Sequence, residues 1–169
     1  PPRGVRLVAL PVPVPSPAPP RRPDRPQLRG LCRFPGLSSW PPFGGTDHAA
    51  QLPGVLVVLF ATPLWYANAA RFRAELDVAK QRAIGPLRVV VLDTIGMSDI
   101  DYTGARTLRQ VLDQLDRDDV RFAMARTGRQ VRAGLGRSDL LQRIGRQNRF
   151  ASVNEAGITL EPPKSPGPV

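Results

Sequence analysis

Asp93, Asp99, Asp101, Thr103 and Arg106, three carboxylates with a hydroxyl and a guanidinium, fall within fourteen residues of this chain. They lie in the stretch VVVLDTIGMSDIDYTGARTL, residues 89–108. Three kinds of chemistry use such a set. Clustered carboxylates serve acid–base catalysis or hold a hard cation. An aspartate just ahead of a helix accepts a backbone N–H and caps it, worth about 1 kcal/mol. A hydroxyl in the first helical turn can take a phosphate, which adds about −1.5 to −2 charges at neutral pH. The spacing makes Asp101 the cap, with the N–H supplied around Thr103 or Gly104. It makes Thr103 the candidate phosphoacceptor. The helix N-terminus and Arg106, three residues on, would stabilise that phosphate, and Asp99 and Asp101 would oppose it. Asp93, Ser98, Asp99, Asp101, Tyr102, Gly104 and Arg106 form the candidate switch loop and partner-binding set around Thr103. Strand-end and helix-cap roles account for the three carboxylates, so no catalytic residue is assigned.

These residues need a strand to end at Asp93 and a helix to begin after Asp101. LRVVVLD, Leu87–Asp93, is β-branched and continuously apolar toward its end, as a central strand buried on both faces would be. Beyond the loop, Ala105, Leu108, Val111, Leu112 and Leu115 recur at helical spacing. Upstream, Gly54–Ala61 reads as a buried strand. The uncharged stretch from His48 to Ala70 is interrupted by Pro53, Gly54 and Pro63, so it lacks the roughly 20 apolar residues of a membrane span. Asn68 is placed to cap a helix whose stripe is Ala69, Phe72, Leu76, Ala79 and Ala83, stopped at Gly85-Pro86. Downstream, Val120–Arg126 alternates as a strand with Val120, Phe122 and Met124 on one face. A helical stretch follows around Gln130–Leu135. A short helix, Asp139–Ile144, is capped by Ser138 and ended by Gly145, and Phe150 and Val153 supply a last strand and turn. Trp65 and Tyr66 read as aromatic core anchors, as do Phe72 and Phe122. Alternating strands and helices predict an α/β fold with a mostly parallel central sheet and about four helices.

Composition bounds the rest. Of 20 prolines, 13 lie in residues 1–45, three in 46–160 and four in 161–169. This divides the chain into a disordered Pro/Arg-rich leader, 1–45, a folded body, 46–160, and a disordered tail, 161–169. The net charge of +10 divides as +6 in the leader and +4 in the body. Most of the basicity thus lies outside the fold, which argues against a specific nucleic-acid interface. The basic leader suits peripheral contact with an anionic membrane surface. With one cysteine, Cys32, and one histidine, His48, neither an internal disulfide nor a Cys/His metal cluster can form. No Gly-rich phosphate loop follows the first strand. The expectation is no metal, no cofactor and no enzyme activity.

Two motifs carry a resemblance. Asp101-Tyr102-Thr103-Gly104 resembles the Asp-Ser-Ser-Gly motif of anti-sigma factor antagonists, whose second Ser is the phosphoacceptor; that position falls on Thr103. Pro53-Gly54-Val55-Leu56-Val57, followed by Pro63-Leu64-Trp65-Tyr66-Ala67-Asn68-Ala69, is similar to the strand and helix entry of STAS domains at the cytoplasmic end of SulP-family anion transporters. Residues 47–160 thus resemble a STAS domain. The antagonist pattern continues with a small residue and Gly, where this chain has Ala105 and Arg106. The resemblance implies a non-enzymatic regulatory module of a SulP-type sulfate or anion transporter, detached here from its membrane domain. Its partner would be that membrane domain or a soluble regulatory protein. The alternative it implies is a free-standing anti-sigma factor antagonist, bound by an anti-sigma factor kinase and switched at Thr103. Either role places the body in the cytoplasm or at the cytoplasmic face of the membrane. The chain opens on Pro1 rather than Met, which suits a fragment or a mis-called start.

Overall fold

The computed structural model describes residues 27–33, 40–42 and 52–161. His48, the tail from residue 162 and the rest of the leader lie outside the described residues. Five strands form one sheet in the order β1-β2-β3-β4-β5. They are β1 (Leu28–Leu31), β2 (Val55–Phe60), β3 (Val89–Asp93), β4 (Arg121–Ala125) and β5 (Arg149–Phe150). Five α-helices accompany them: α1 (Ala69–Gln81), α2 (Tyr102–Arg117), α3 (Arg129–Gly136), α4 (Leu140–Ile144) and α5 (Val153–Leu160). Among the described residues, no helix is long and apolar enough to cross a membrane.

Strands β2 to β5 pair in parallel. Their crossovers are helical, as parallel neighbours require. The continuous apolar runs are explained by burial on both faces. One face presents Leu56, Val58, Phe60, Val90, Leu92, Phe122 and Met124, packed with Phe72, Leu76, Leu108 and Leu115 from α1 and α2. The other presents Val55, Val57, Val89, Val91, Ala123 and Ala125, packed with Val153, Ala156 and Leu160 of α5. The small Ala pair on β4 lets α5 approach that face. Phe72 and Phe122 are buried as expected, with Phe72 edge-on to Phe60 at 4.9 Å between ring centroids. The predicted core stripe of α2 is buried in full.

Four expectations are corrected. Leu28–Leu31, assigned from sequence to the leader, is an edge strand, antiparallel to β2 with Leu28 opposite Phe60. Its Leu28 N–H donates to Glu75 of α1 at 2.8 Å. The neighbouring Cys32 is buried, and Trp40 lies against Gly157 of α5. Proline density hid a four-residue strand, LRGL, that takes its register from β2. Second, Val153 opens a helix rather than a turn. Ser152 accepts from the Glu155 N–H at 3.0 Å, and Glu155 accepts from the Ala151 N–H at 2.9 Å. This is a variant of the capping box, Ser-x-x-Glu, in which the Glu reaches one residue behind the cap. Third, Asn68 precedes α1 without capping it. Its amide closes the turn behind it, accepting from the Trp65 N–H at 3.0 Å and donating to the Pro63 carbonyl at 2.8 Å. Fourth, Ser138 does not cap α4. Its hydroxyl donates back to the Gly134 carbonyl at 3.0 Å, and Asp139 stands at the N-cap.

Candidate functional site

The carboxyl ends of β2 and β3 carry two loops, 61–68 and 94–101, that are joined to each other. Leu64 is the seam. Its N–H donates to the Asp99 carbonyl at 3.0 Å, and its carbonyl accepts from the Asp101 N–H at 3.1 Å. Leu64 thereby forms a parallel bridge with Ile100, and both side chains are buried. Gly104 completes the contact from α2: a Cβ there would stand 2.2 Å from the Leu64 carbonyl oxygen. Only glycine permits this approach. Gly96 does the same against Ala61, where a Cβ would meet the Ala61 Cα at 2.7 Å.

Asp101 ties the seam to α2. Its backbone is extended, and one carboxylate oxygen accepts from the Gly104 N–H at 2.6 Å, capping the helix as expected. The other oxygen accepts from the Tyr66 N–H at 3.0 Å. Asp99 accepts from the Ile100 N–H at 2.8 Å. Ser98, Asp99, Tyr102, Thr103 and Arg106 are exposed around this core, and Gly104 is buried beneath them. The structure therefore brings together seven of the eight sequence-derived residues, Thr103 included, at one edge of the sheet.

Asp93 is the exception. It is 0% exposed and lies inside the fold rather than on a docking surface. It pairs with Arg126, which reaches it from the end of β4 through Nε at 3.0 Å and through Nη2. It also accepts from the Ile95 N–H at 3.2 Å. Donating to the Asp93 carboxylate raises the Arg126 guanidinium above its usual value. Arg126 adopts φ of +54°, a left-handed conformation uncommon for a residue with a Cβ. The Thr94 hydroxyl donates to the Ala125 carbonyl at 3.1 Å, so the two strand ends are stitched together. Asp93 thus anchors the base of the loop, and sequence reasoning missed its partner Arg126.

Trp65 and Tyr66 are corrected from core anchors to surface residues, 47% and 71% exposed. Their rings stand 5.6 Å apart. The inward position of their turn belongs to Leu64 instead. Tyr102, one residue past the cap, is 82% exposed. The edge is therefore an aromatic surface with an exposed hydroxyl, Thr103, and an exposed cation, Arg106.

Such a mostly parallel sheet, with a capped helix opening at its carboxyl edge, defines an α/β domain whose Asp99 and Asp101 carboxylates are held by backbone N–H groups and whose Asp93 is held by Arg126. The STAS domain family matches residues 48–156, and the chain belongs to that family. No curated protein sequence matches it. Solved structures share the fold. The murine Solute Carrier 26 family member A9 anion transporter, in its inward-facing state, aligns with a TM-score of 0.71 at 18% identity over 80% of this chain. The SulP transporter STAS domain from Vibrio cholerae aligns with a TM-score of 0.51 at 16% identity, over 69% of this chain and 87% of that one. The anti-sigma factor antagonist SpoIIAA in its unphosphorylated form has a TM-score of 0.51 at 17% identity, over 63% of this chain and 87% of that one. The chain spans 22% of the length of the murine transporter.

Proposed function

We infer that the chain is a non-enzymatic regulatory module that works by protein contact, most like the STAS domain of a SulP-type sulfate or anion transporter. It would act at the cytoplasmic face of the membrane, docking on a transporter membrane domain or a soluble regulatory protein. The observation that carries this reading is the Asp101 bond to Tyr66. It makes the two motifs, Pro63–Ala69 and Asp101–Gly104, one structural unit, with both Asp101 carboxylate oxygens occupied by backbone N–H groups and the aromatic rings exposed. Carboxylates so engaged hold a shape rather than turn over a substrate. The test is fractionation of the source cells followed by immunoblotting with an antibody against residues 68–160. A membrane-bound species much larger than 18.4 kDa is expected. A species of about this size, free of membrane, would remove transport in cis.

A second reading is favoured by the exposure of Thr103 in the first turn of α2. There a phosphate would meet a positive helix end and Arg106 while facing Asp99 and Asp101. The chain would then be a free-standing anti-sigma factor antagonist, released from a kinase partner by phosphorylation. Incubation with that kinase and mass spectrometry should find phosphate on Thr103. Thr103→Ala should keep partner binding and Thr103→Glu should weaken it. Phosphate confined to other residues would contradict this reading.

A further inference from the structure

The outward side of α3 carries cations that the rest of the fold leaves unpaired. Val131, Gly134 and Leu135 face inward. Arg129, Arg132, Ala133, Gly136 and the C-cap residue Arg137 are exposed. At the helical rise, the three arginines spread over about 12 Å. Ala133 and Gly136 add no bulk between them, so another chain can lie close to the helix. Two contacts set α3 beside the edge described above. Gly134 lies on Ile100, where a Cβ would stand 3.0 Å from the Ile100 carbonyl oxygen. Arg109 of α2 donates to the Ser138 carbonyl just past α3. The outward side of α3 therefore continues the surface of Tyr102, Thr103 and Arg106.

The chain does not neutralise this surface. Among the described residues, Arg106, Arg129, Arg132 and Arg137 have no carboxylate at ion-pair distance. The acids of the last turns of α2 are engaged elsewhere. Asp113 and Asp116 each accept from Arg143 of α4 at 2.6 Å, and Asp118 pairs with Lys80 of α1 at 3.2 Å. Of the 14 Asp and Glu residues, Asp24 and Asp47 alone lie outside the described residues. Two carboxylates cannot balance four guanidinium groups.

The counter-charge must then come from another molecule. Guanidinium groups pair best with carboxylates, two parallel N–H bonds at a time. Arg, Tyr and Trp together are the side chains that protein interfaces favour. Asp139, two residues past Arg137, is exposed, as is Asp99 beside Ile100. A continuous polyanion, such as a membrane surface or a nucleic acid, would meet these two carboxylates, whereas a short acidic segment fits between them. The outward side of α3 also exposes no aromatic or large apolar side chain that could enter a bilayer.

We propose that Arg106, Arg129, Arg132 and Arg137 receive a short acidic segment of a partner protein, laid along α3. The inference rests on the reading of the domain as a protein-contact module and adds the chemistry of its partner.

The test uses the full chain and a fluorescent 12-residue peptide of three Glu-Glu-Leu-Glu repeats, with a Gln-for-Glu peptide as its control. Replacing Arg129→Gln, Arg132→Gln and Arg137→Gln together should weaken binding about tenfold, three exposed ion pairs at a factor of about two each. Replacing Arg21→Gln, Arg22→Gln and Arg25→Gln removes the same charge and should change it less than about twofold. Thermal melts show whether both variants keep the fold. Equal losses in the two variants would overturn the proposal, by reducing it to net charge. Equal binding of the Gln peptide would also overturn it. So would a larger loss, in the α3 variant, of binding to phosphatidylcholine–phosphatidylserine vesicles or to duplex DNA than to the peptide, which would place a membrane or a nucleic acid on this face. The probe is supplied in solution, so this test and the fractionation of source cells can fail separately.

Discussion

The carboxylate of Asp101 holds the backbone N–H of Tyr66, 35 residues earlier in the chain, at 3.0 Å, while its other oxygen caps α2 through Gly104. One side chain therefore fixes the entry turn of α1 and the first turn of α2 relative to each other. Asp101→Ala should destabilise the domain by about 2 kcal/mol, the upper range for a lost N-cap, because two N–H groups lose their acceptor. Asp101→Asn keeps one good acceptor oxygen and should lose less than half as much. Urea unfolding with an unchanged m-value measures both.

Gly104 and Gly136 are both helical, yet they should respond oppositely to alanine. At Gly104 the new Cβ would collide with the Leu64 carbonyl at 2.2 Å. A backbone atom cannot move aside cheaply, so Gly104→Ala should be destabilising by about 3 kcal/mol. At Gly136 the nearest atom is a Leu141 methyl at 3.6 Å, an ordinary contact. Gly136→Ala should be neutral or stabilising by up to about 1 kcal/mol. Equal effects at the two sites would contradict the described seam.

Arg126 combines a charge that Asp93 requires with a backbone conformation that arginine disfavours. Arg126→Ala should be destabilising by about 3 kcal/mol, since it leaves a fully buried carboxylate without its counter-ion. Arg126→Gly loses the same charge but relieves the positive φ, and should be roughly 1 kcal/mol less harmful. Asp93→Asn combined with Arg126→Gly should recover part of the loss. A thermal melt series of the four proteins decides this.

Cys32 tests where the fold begins. It follows β1, is 1% exposed, and burial pushes its thiol above the usual value. A thiol reagent at pH 8 should therefore react at least about tenfold more slowly with the native chain than with the urea-unfolded one. Equal rates would mean that the segment from Leu28 is not docked against β2.

Much of the body was legible because its elements are locally consistent. The helical stripe of α2 and the apolar run of β3 each report burial through spacing alone, and Asp101 reports its cap through position. What escaped depends on distant partners. Leu28–Leu31 is short and surrounded by prolines, and only β2 makes it a strand. Trp65 and Tyr66 carry apolar rings, but Leu64 takes the one inward place in their turn. Arg126 is one arginine among many until parallel pairing aligns Asp93 with Ala125, one residue before it. The Ser152–Glu155 pair is legible, since both residues stand at the capping-box spacing, but reading Val153 as a turn leaves no helix for it to cap.

The proposed function places partner contact at the edge that carries Thr103 and Arg106. A photo-crosslinking residue at Arg106, exposed on α2, compared in cells with one at the exposed Ile158 on α5, tests this directly. The two helices pack on opposite faces of the sheet. Adducts from position 106 with an anion-transporter membrane domain or a regulatory protein are expected, and none from position 158. Adducts from position 158 alone would contradict it.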